Sequence, residues 1–429
     1  MQKLEKGNPK LMNAWAFYDW ANSVYTLVIT SAIFPIYYAA VFKEKHIENI
    51  DFLGINFKNT ALISFVTAAA FLVVAFLSPL LSGIADYIGD KKKFMQFFCY
   101  LGASSCIGLS FFTVQNITFG IVCYFFGLIG YWGSLVFYNS YLPDIAFEEQ
   151  QDKLSAKGYS LGYLGSVVLL LINLGFIMTS SDENKLSCMQ YSFASVGVWW
   201  IIFSQYTFRY LPKGNKSENK LTKAVFFNGF NELKKVWVLL SQNKRLKNYL
   251  IAFFVFSMAV QTVMLVATYF GEQEIAWKSD SDKTTGLISS ILVIQLVAIL
   301  GAFLTSKASN KFGNISTLIV LNAIWVVICV SGYFVTLPIH FYLTAGFVGL
   351  VMGGIQSLAR STYSKFLPET NDTTSFFSFY DVAEKIGIVI GMLTYGLIDQ
   401  ITGSMRNALV FLGVFFFVGL LLLLRVPKK

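Results

Sequence analysis

Three ionisable residues, Asp381, Glu384 and Lys385, stand together inside an apolar run at 376–398. An ionised side chain in hydrocarbon costs about 2.5–3.5 kcal/mol on insertion scales, so such residues face a protein interior or a water-filled path and mark where charge is handled. Asp381 and Lys385 are four positions apart, hence on one helix face, and can pair. Glu384, adjacent and without a counter-ion of its own, can hold and release a proton. Lys385 can meet a substrate carboxylate, and an amino group could meet Asp19 or Glu384. Asn22, Asn139, Gln356 and Tyr380, also within apolar runs, add hydrogen-bonding groups suited to a small polar molecule. Asp19 has a plainer reading as a cap near the start of its helix. Asn and Gln in such runs also serve simply to glue helices together.

The elements that must position these groups are membrane helices. The chain is 55% hydrophobic, 17% aromatic and only 13% charged, with 42 Phe among 429 residues, whereas soluble chains carry about a quarter charged residues. Apolar runs of about 20 residues, separated by short polar stretches, predict transmembrane helices. Twelve spans are expected, numbered in chain order, at roughly 15–42, 60–82, 94–113, 117–140, 158–179, 190–209, 248–270, 285–306, 315–336, 339–362, 376–398 and 407–424. The short alternating strands of an outer-membrane barrel do not occur. The first run is longer than the core of a signal peptide and is expected to stay as span 1. This pattern excludes a soluble enzyme. No catalytic set is expected: His46 and His340 lie near helix ends without partners, and the cysteines have no metal-ligand spacing. Nor does a Gly-x4-Gly-Lys-Ser/Thr motif for ATP occur. No cofactor or metal is expected.

Of the 33 Lys and Arg, placing the N-terminus in the cytoplasm assigns 25 to cytoplasmic segments, 7 to outer loops and one, Lys385, to a span. Both termini are then cytoplasmic. The basic block at 209–247 includes Lys213, Lys216, Lys220, Lys223, Lys234, Lys235, Lys244 and Arg245. It reads as a loop facing anionic lipid headgroups rather than as a nucleic-acid site. Within it Val225, Phe226, Phe230, Leu233, Val236, Trp237 and Leu240 follow helical spacing, predicting an amphipathic helix on the inner leaflet.

Two features recur at nearly one offset. Gly83, Asp86 and Gly89 precede three lysines after span 2, and Asn310 and Gly313 follow span 8, which pairs Asp86 with Asn310 at 224 positions. Leu142-Pro143 after span 4 pairs with Leu367-Pro368 after span 10 at 225. The expected organisation is a six-helix half at 1–211, a linker at 212–247 and a second six-helix half at 248–429.

The loop from Gly83 to Lys93 resembles the major facilitator signature, with Tyr87 in place of its arginine. Other segments resemble the autophagy-related vacuolar amino-acid effluxer family and its bacterial relatives. These are Trp15 to Ser23, Phe137 to Pro143, Gly158 to Gly165, Gly353 to Ser361, and Phe376 to Tyr380 followed by Lys385. The resemblance implies an all-α major facilitator fold whose spans 3, 6, 9 and 12 form an outer ring, and for fungal members export of amino acids from a storage compartment. Gly83, Asp86, Gly89 and Arg360 become gating candidates. Asp19, Asn22, Asn139, Gln356, Tyr380 and Lys385 become substrate contacts, and Glu384 and Asp381 proton-coupling groups. The expected activity is secondary transport of a small polar metabolite, an amino acid by analogy, coupled to protons, by a monomer in a bacterial plasma membrane. Two alternatives stay open: a multidrug or sugar-derivative exporter of the same fold, and a non-transporting receptor or scramblase.

The charge asymmetry yields a first prediction. Reporter fusions at Gly214 and Lys429 should read as cytoplasmic and one at Asn184 as external; an external Gly214 would overturn the span order.

Overall fold

The computed structural model describes residues 4–44, 47, 49–52, 54–213 and 225–427. His46, Gly214, Lys216, Lys220, Lys223 and Lys429 lie outside the described residues. Helix 1 begins at Pro9, where proline occupies the first turn and the Asn8 side chain accepts from the Lys10 amide at 2.9 Å. It runs as Pro9–Asn22, a wider π-helical stretch Tyr25–Ala32, and Ile33–Glu44. In the π stretch Thr26 and Thr30 donate their hydroxyls to the carbonyls of Ser23 and Thr26, drawing acceptors away from the regular ladder.

Eleven more long helices follow among the described residues. Helices 2 to 6 are Asn59–Ile88, Lys91–Leu109, Ile117–Ser140, Glu148–Thr179 and Lys185–Tyr210. A linker helix spans Val225–Gln242. Helices 7 to 12 are Lys244–Glu274, Asp280–Phe312, Asn314–Gly332, Pro338–Phe366, Thr373–Thr402 and Met405–Leu424. A short hairpin, Asn49–Phe52 with Ile55–Lys58, joins helices 1 and 2.

Most helices outrun the apolar spans. Helix 5 is the largest departure, starting ten residues before the expected 158, because its polar first turns bury Gln151 and Asp152 against protein instead of lying in water. Ten of these segments are long and apolar enough to cross a membrane. The other two are helices 3 and 11. Helix 3 opens on three lysines, and helix 11 carries Asp381, Glu384 and Lys385 within it. Neither stands alone: helix 3 packs on helices 4 and 6, and helix 11 on helices 2, 7 and 12.

The buried apolar side chains form two clusters that divide at the linker. One runs from Leu11 to Leu211; the other from Val236 to Val426, joined by Tyr163 of helix 5. Two six-helix halves therefore have separate cores. Helices 2 and 8 end alike, on Gly89 at φ 72° and Gly313 at φ 85°, left-handed positions that glycine adopts without strain. They stand 224 positions apart.

Both termini and the linker lie at one end of the bundle. The Gly7 amide donates to Ile145 O at 2.8 Å, the Tyr141 hydroxyl to Pro212 O at 2.8 Å, and the Asn248 amide to Arg425 O at 3.1 Å. The linker helix also packs on protein: Val236 and Leu240 are buried, the helix packs on helix 2, and Trp237 meets Phe379 of helix 11, while Val238 and Leu239 stay exposed. The side chains of Val225, Phe226, Phe230 and Leu233 lie outside the described residues.

Within the second half, helices 8 and 10 touch backbone to backbone. A Cβ on Gly301 would overlap Leu350 O, and one on Gly353 would overlap Ala298 O, the small-residue contact usual between membrane helices. Gly301→Val should destabilise the bundle by about 1–3 kcal/mol. Gly346→Val, whose added side chain meets open space, should be near neutral. Thermal unfolding in detergent compares them, and equal midpoints would refute the packing argument.

Candidate functional site

Among the described residues, hydrogen bonds between the two halves cluster at three main places. The first is the end that carries the termini. Asp86, at the last turn of helix 2, accepts from the Ser375 amide and hydroxyl, each at 2.7 Å, and from the Thr374 amide at 3.3 Å. It thus binds the amino end of helix 11, where unpaired amides and the helix dipole favour an anion. Buried Gly83 lies one turn earlier and Gly89 closes the helix. Lys91 bonds Asp144, Ser140 O and, across the halves, the Thr373 hydroxyl at 3.0 Å.

A second acid of the first half is held at this end by side chains of the second, the Asn314 donor being its side-chain amide. Asp152, in the first turns of helix 5, accepts from Lys365 at 2.7 Å, from the Ser309 hydroxyl at 2.9 Å and from the Asn314 amide at 3.0 Å. Helices 8, 9 and 10 are thereby tied to helix 5. The sequence reading missed Asp152 because its stretch, Glu148 to Lys153, is polar enough to pass for a loop; a buried acid among charges has no periodic signature.

The second place is Arg360 of helix 10, 2% exposed. Its Nε donates to Ser155 Oγ at 2.9 Å and its Nη2 to Ser155 O at 3.0 Å; Nη1 reaches Asn139 Oδ1 at 3.2 Å. Both Nη atoms reach Asp19 Oδ2 at 3.4 Å, and the Tyr138 hydroxyl donates to that oxygen at 2.8 Å. The rings of Tyr159, Trp15 and Tyr138 lie 4.3, 4.8 and 5.5 Å from the guanidinium carbon, within cation–π range. Helix 5 makes room with Gly158, where a Cβ would stand 2.5 Å from Asp19 Oδ2. One expectation changes here: Asp19 is not a cap, being ten residues inside the helix. Arg360, a gating candidate, bonds the substrate candidates Asp19 and Asn139 of the other half, because its place on helix 10 faces helices 1, 4 and 5.

The third place is the helix 11 cluster. Lys385 donates to Asp381 Oδ1 at 2.6 Å and to Glu384 Oε2 at 2.8 Å, and sits 3.8 Å above the ring of Trp132. Ser78 of helix 2 donates to Asp381 Oδ2 at 3.1 Å, and Gln261 of helix 7 to Glu384 Oε1 at 2.7 Å. Glu384 is therefore not left without a counter-ion: the lysine stem is long enough to serve neighbouring positions at once. Glu384 is the more exposed acid, its side chain 17% accessible against 6% for Asp381.

The remaining candidates spread around these groups. Gln356 accepts from the Tyr163 hydroxyl at 2.8 Å, across the halves. Tyr380 stacks on Phe253 at 4.0 Å. Asn22 is fully buried, its amide nitrogen unpartnered among the described residues. Asn173 bonds Ser195 of helix 6 and serves packing within one half. Among the described residues no group of acids, His and Cys is arranged to hold a metal.

Asp86→Asn and Asp152→Asn each weaken a charge-assisted contact worth roughly 1.5–3 kcal/mol. Each variant should insert normally, transport several-fold more slowly, and admit a water-soluble thiol reagent to cysteines placed behind the contact. Unaltered labelling and rate would leave these residues without a gating role.

Residues 7–429 match the profile of the family described as Vacuole effluxer Atg22 like. The MFS-type transporter YxiO of Bacillus subtilis (strain 168) is 29% identical over 424 residues, covering 98% of this chain and 95% of that protein. Autophagy-related protein 22-1 of Aspergillus terreus (strain NIH 2624 / FGSC A1156) is 22% identical over 470 residues, covering 88% of this chain and 75% of that one. Among solved structures, the E. coli fucose:proton symporter matches with a TM-score of 0.69 over 98% of each chain, at 14% identity. That last likeness is one of fold alone.

Proposed function

The chain belongs to the Atg22-like vacuole effluxer family, within the major facilitator fold, and on that premise we propose a proton-coupled transporter of small polar metabolites, amino acids foremost. It is a multi-pass membrane transporter and not an enzyme. The observation that carries the coupling is the helix 11 cluster. Two acids share one lysine in a buried site, and the partners Ser78 and Trp132 come from the other half.

The charge arithmetic supplies the mechanism. Asp381, Glu384 and Lys385, all ionised, leave one uncompensated negative charge where desolvation is costly. A proton on one acid removes it. Glu384, the more accessible acid, takes that proton; Asp381 stays bonded to Lys385 and Ser78. Protonation frees one donor of Lys385 and loosens its hold, so the equilibrium between the two arrangements of the halves follows proton occupancy. Asp19, Asn22, Asn139, Gln356, Tyr380 and Lys385 surround the substrate path. Asp86, Gly83, Gly89 and the Asp152 contact close the end that carries the termini. With that end in the cytoplasm of a bacterium, the structure is closed inward, and the protein works as a monomer in the plasma membrane.

Glu384→Gln should abolish gradient-driven accumulation in proteoliposomes and keep substrate counterflow within a few-fold of wild type. Retained accumulation, or loss of both activities, would refute the assignment of the proton to Glu384.

A further inference from the structure

Arg360 and Lys385 both lie buried deep in the bundle between the halves, and they are not equally available to an anion. Lys385 is bound by two carboxylates at 2.6 and 2.8 Å, in a cluster with surplus negative charge, and a substrate carboxylate would be repelled there. Arg360 meets a single acid. Both of its bonds to Asp19 end on one oxygen at 3.4 Å, longer than the roughly 2.7–2.9 Å of a well-formed charged pair. Its shorter bonds go to neutral groups, Ser155 and Asn139, which orient the guanidinium without neutralising it. The ring of Tyr159 holds its plane. The fork that carboxylates fit bidentately is therefore directed at Asp19 and only loosely used.

We infer that Arg360 is the receptor for the substrate's carboxylate and Asp19 the receptor for its ammonium group. This rests on the amino-acid reading above and names the residues that read the substrate. An α-amino acid carries both charges on one carbon, so it inserts between Arg360 and Asp19 and completes both pairs with no change in net charge. A simple carboxylate leaves Asp19 facing a second anion. An amino-acid amide leaves Arg360 without its anion. Insertion also parts helix 1 from helix 10, so occupancy by a zwitterion weakens an inter-half contact. The Tyr138 hydroxyl, already on Asp19 Oδ2, and Asn139 keep the two receptors placed. Gly158 lets Asp19, Arg360 and Tyr138 close up against helix 5, where any side chain would collide with them.

The test is counterflow in proteoliposomes with radiolabelled L-amino acids, each competed against its unlabelled form, its α-amide and its deaminated acid. Wild type should prefer the zwitterion over both analogues. Arg360→Lys should lose about 10–100-fold in apparent affinity for the zwitterion and much less for the amide. Asp19→Asn should shift preference toward the deaminated acid by about tenfold. A purely structural role lowers rates without moving these ratios, and Asn173→Ala, which alters only packing within one half, should keep them. Amino-acid counterflow with unchanged ratios in both charge variants overturns this inference and leaves the transport reading intact. Absence of any amino-acid counterflow in wild type overturns both.

Discussion

A charge inside a bilayer-spanning bundle has to find its counter-charge within the protein, because neither lipid nor bulk water will serve. Among the described residues two buried pairs draw the counter-charge from the opposite half, and a third acid is hydrogen-bonded from there. Arg360 of helix 10 meets Asp19 of helix 1, Lys365 of helix 10 meets Asp152 of helix 5, and Asp381 is bonded by Ser78 of helix 2. Separating the halves therefore means unpairing buried charge. Removing one partner of a buried pair typically costs about 3–5 kcal/mol. Motion of the halves is feasible only if water, a proton or a substrate takes the vacated place. The groups that hold the halves together are for that reason the ones on which the proposed substrate and proton would act.

Packing divides in the same way. Inside a half the contacts are close and apolar: helices 8 and 10 meet backbone to backbone at glycines, and Trp325 lies flat on Phe416 at 4.9 Å. Such surfaces have no second arrangement of comparable energy, so each half moves as a unit. Between the halves the contacts are polar and directional, and an alternative partner can replace each of them. The contrast is what permits rigid-body rocking about a site at the interface.

The end that carries the termini shows how a duplicated plan diverges without losing its physics. In one contact the acid, Asp86, comes from the last turn of helix 2 and the amides from helix 11. In the other the acid, Asp152, is on helix 5, and the turn after helix 8 supplies Asn314. Both acids belong to the first half and meet donors of the second: backbone amides at the start of helix 11 for Asp86, and side chains of helices 8, 9 and 10 for Asp152.

How much of this the amino-acid order determined by itself follows from what is local. Apolar runs, the lysine asymmetry and the recurrence of Gly89 and Gly313 specify twelve helices in two halves, since length, burial in lipid and turn geometry are properties of contiguous residues. The pairing of Asp381 with Lys385 was legible for the same reason, as it depends only on helical spacing. The partners of Glu384 and Arg360, the burial of Asp152 and the seat of the linker helix were not. Each of those depends on which distant helix lies opposite, at separations such as the 123 positions between Gln261 and Glu384 or the 341 between Asp19 and Arg360. A buried acid and a solvated one look identical in a polar stretch. Only the tertiary packing decides which of them is enclosed, because enclosure is done by residues far away in the chain.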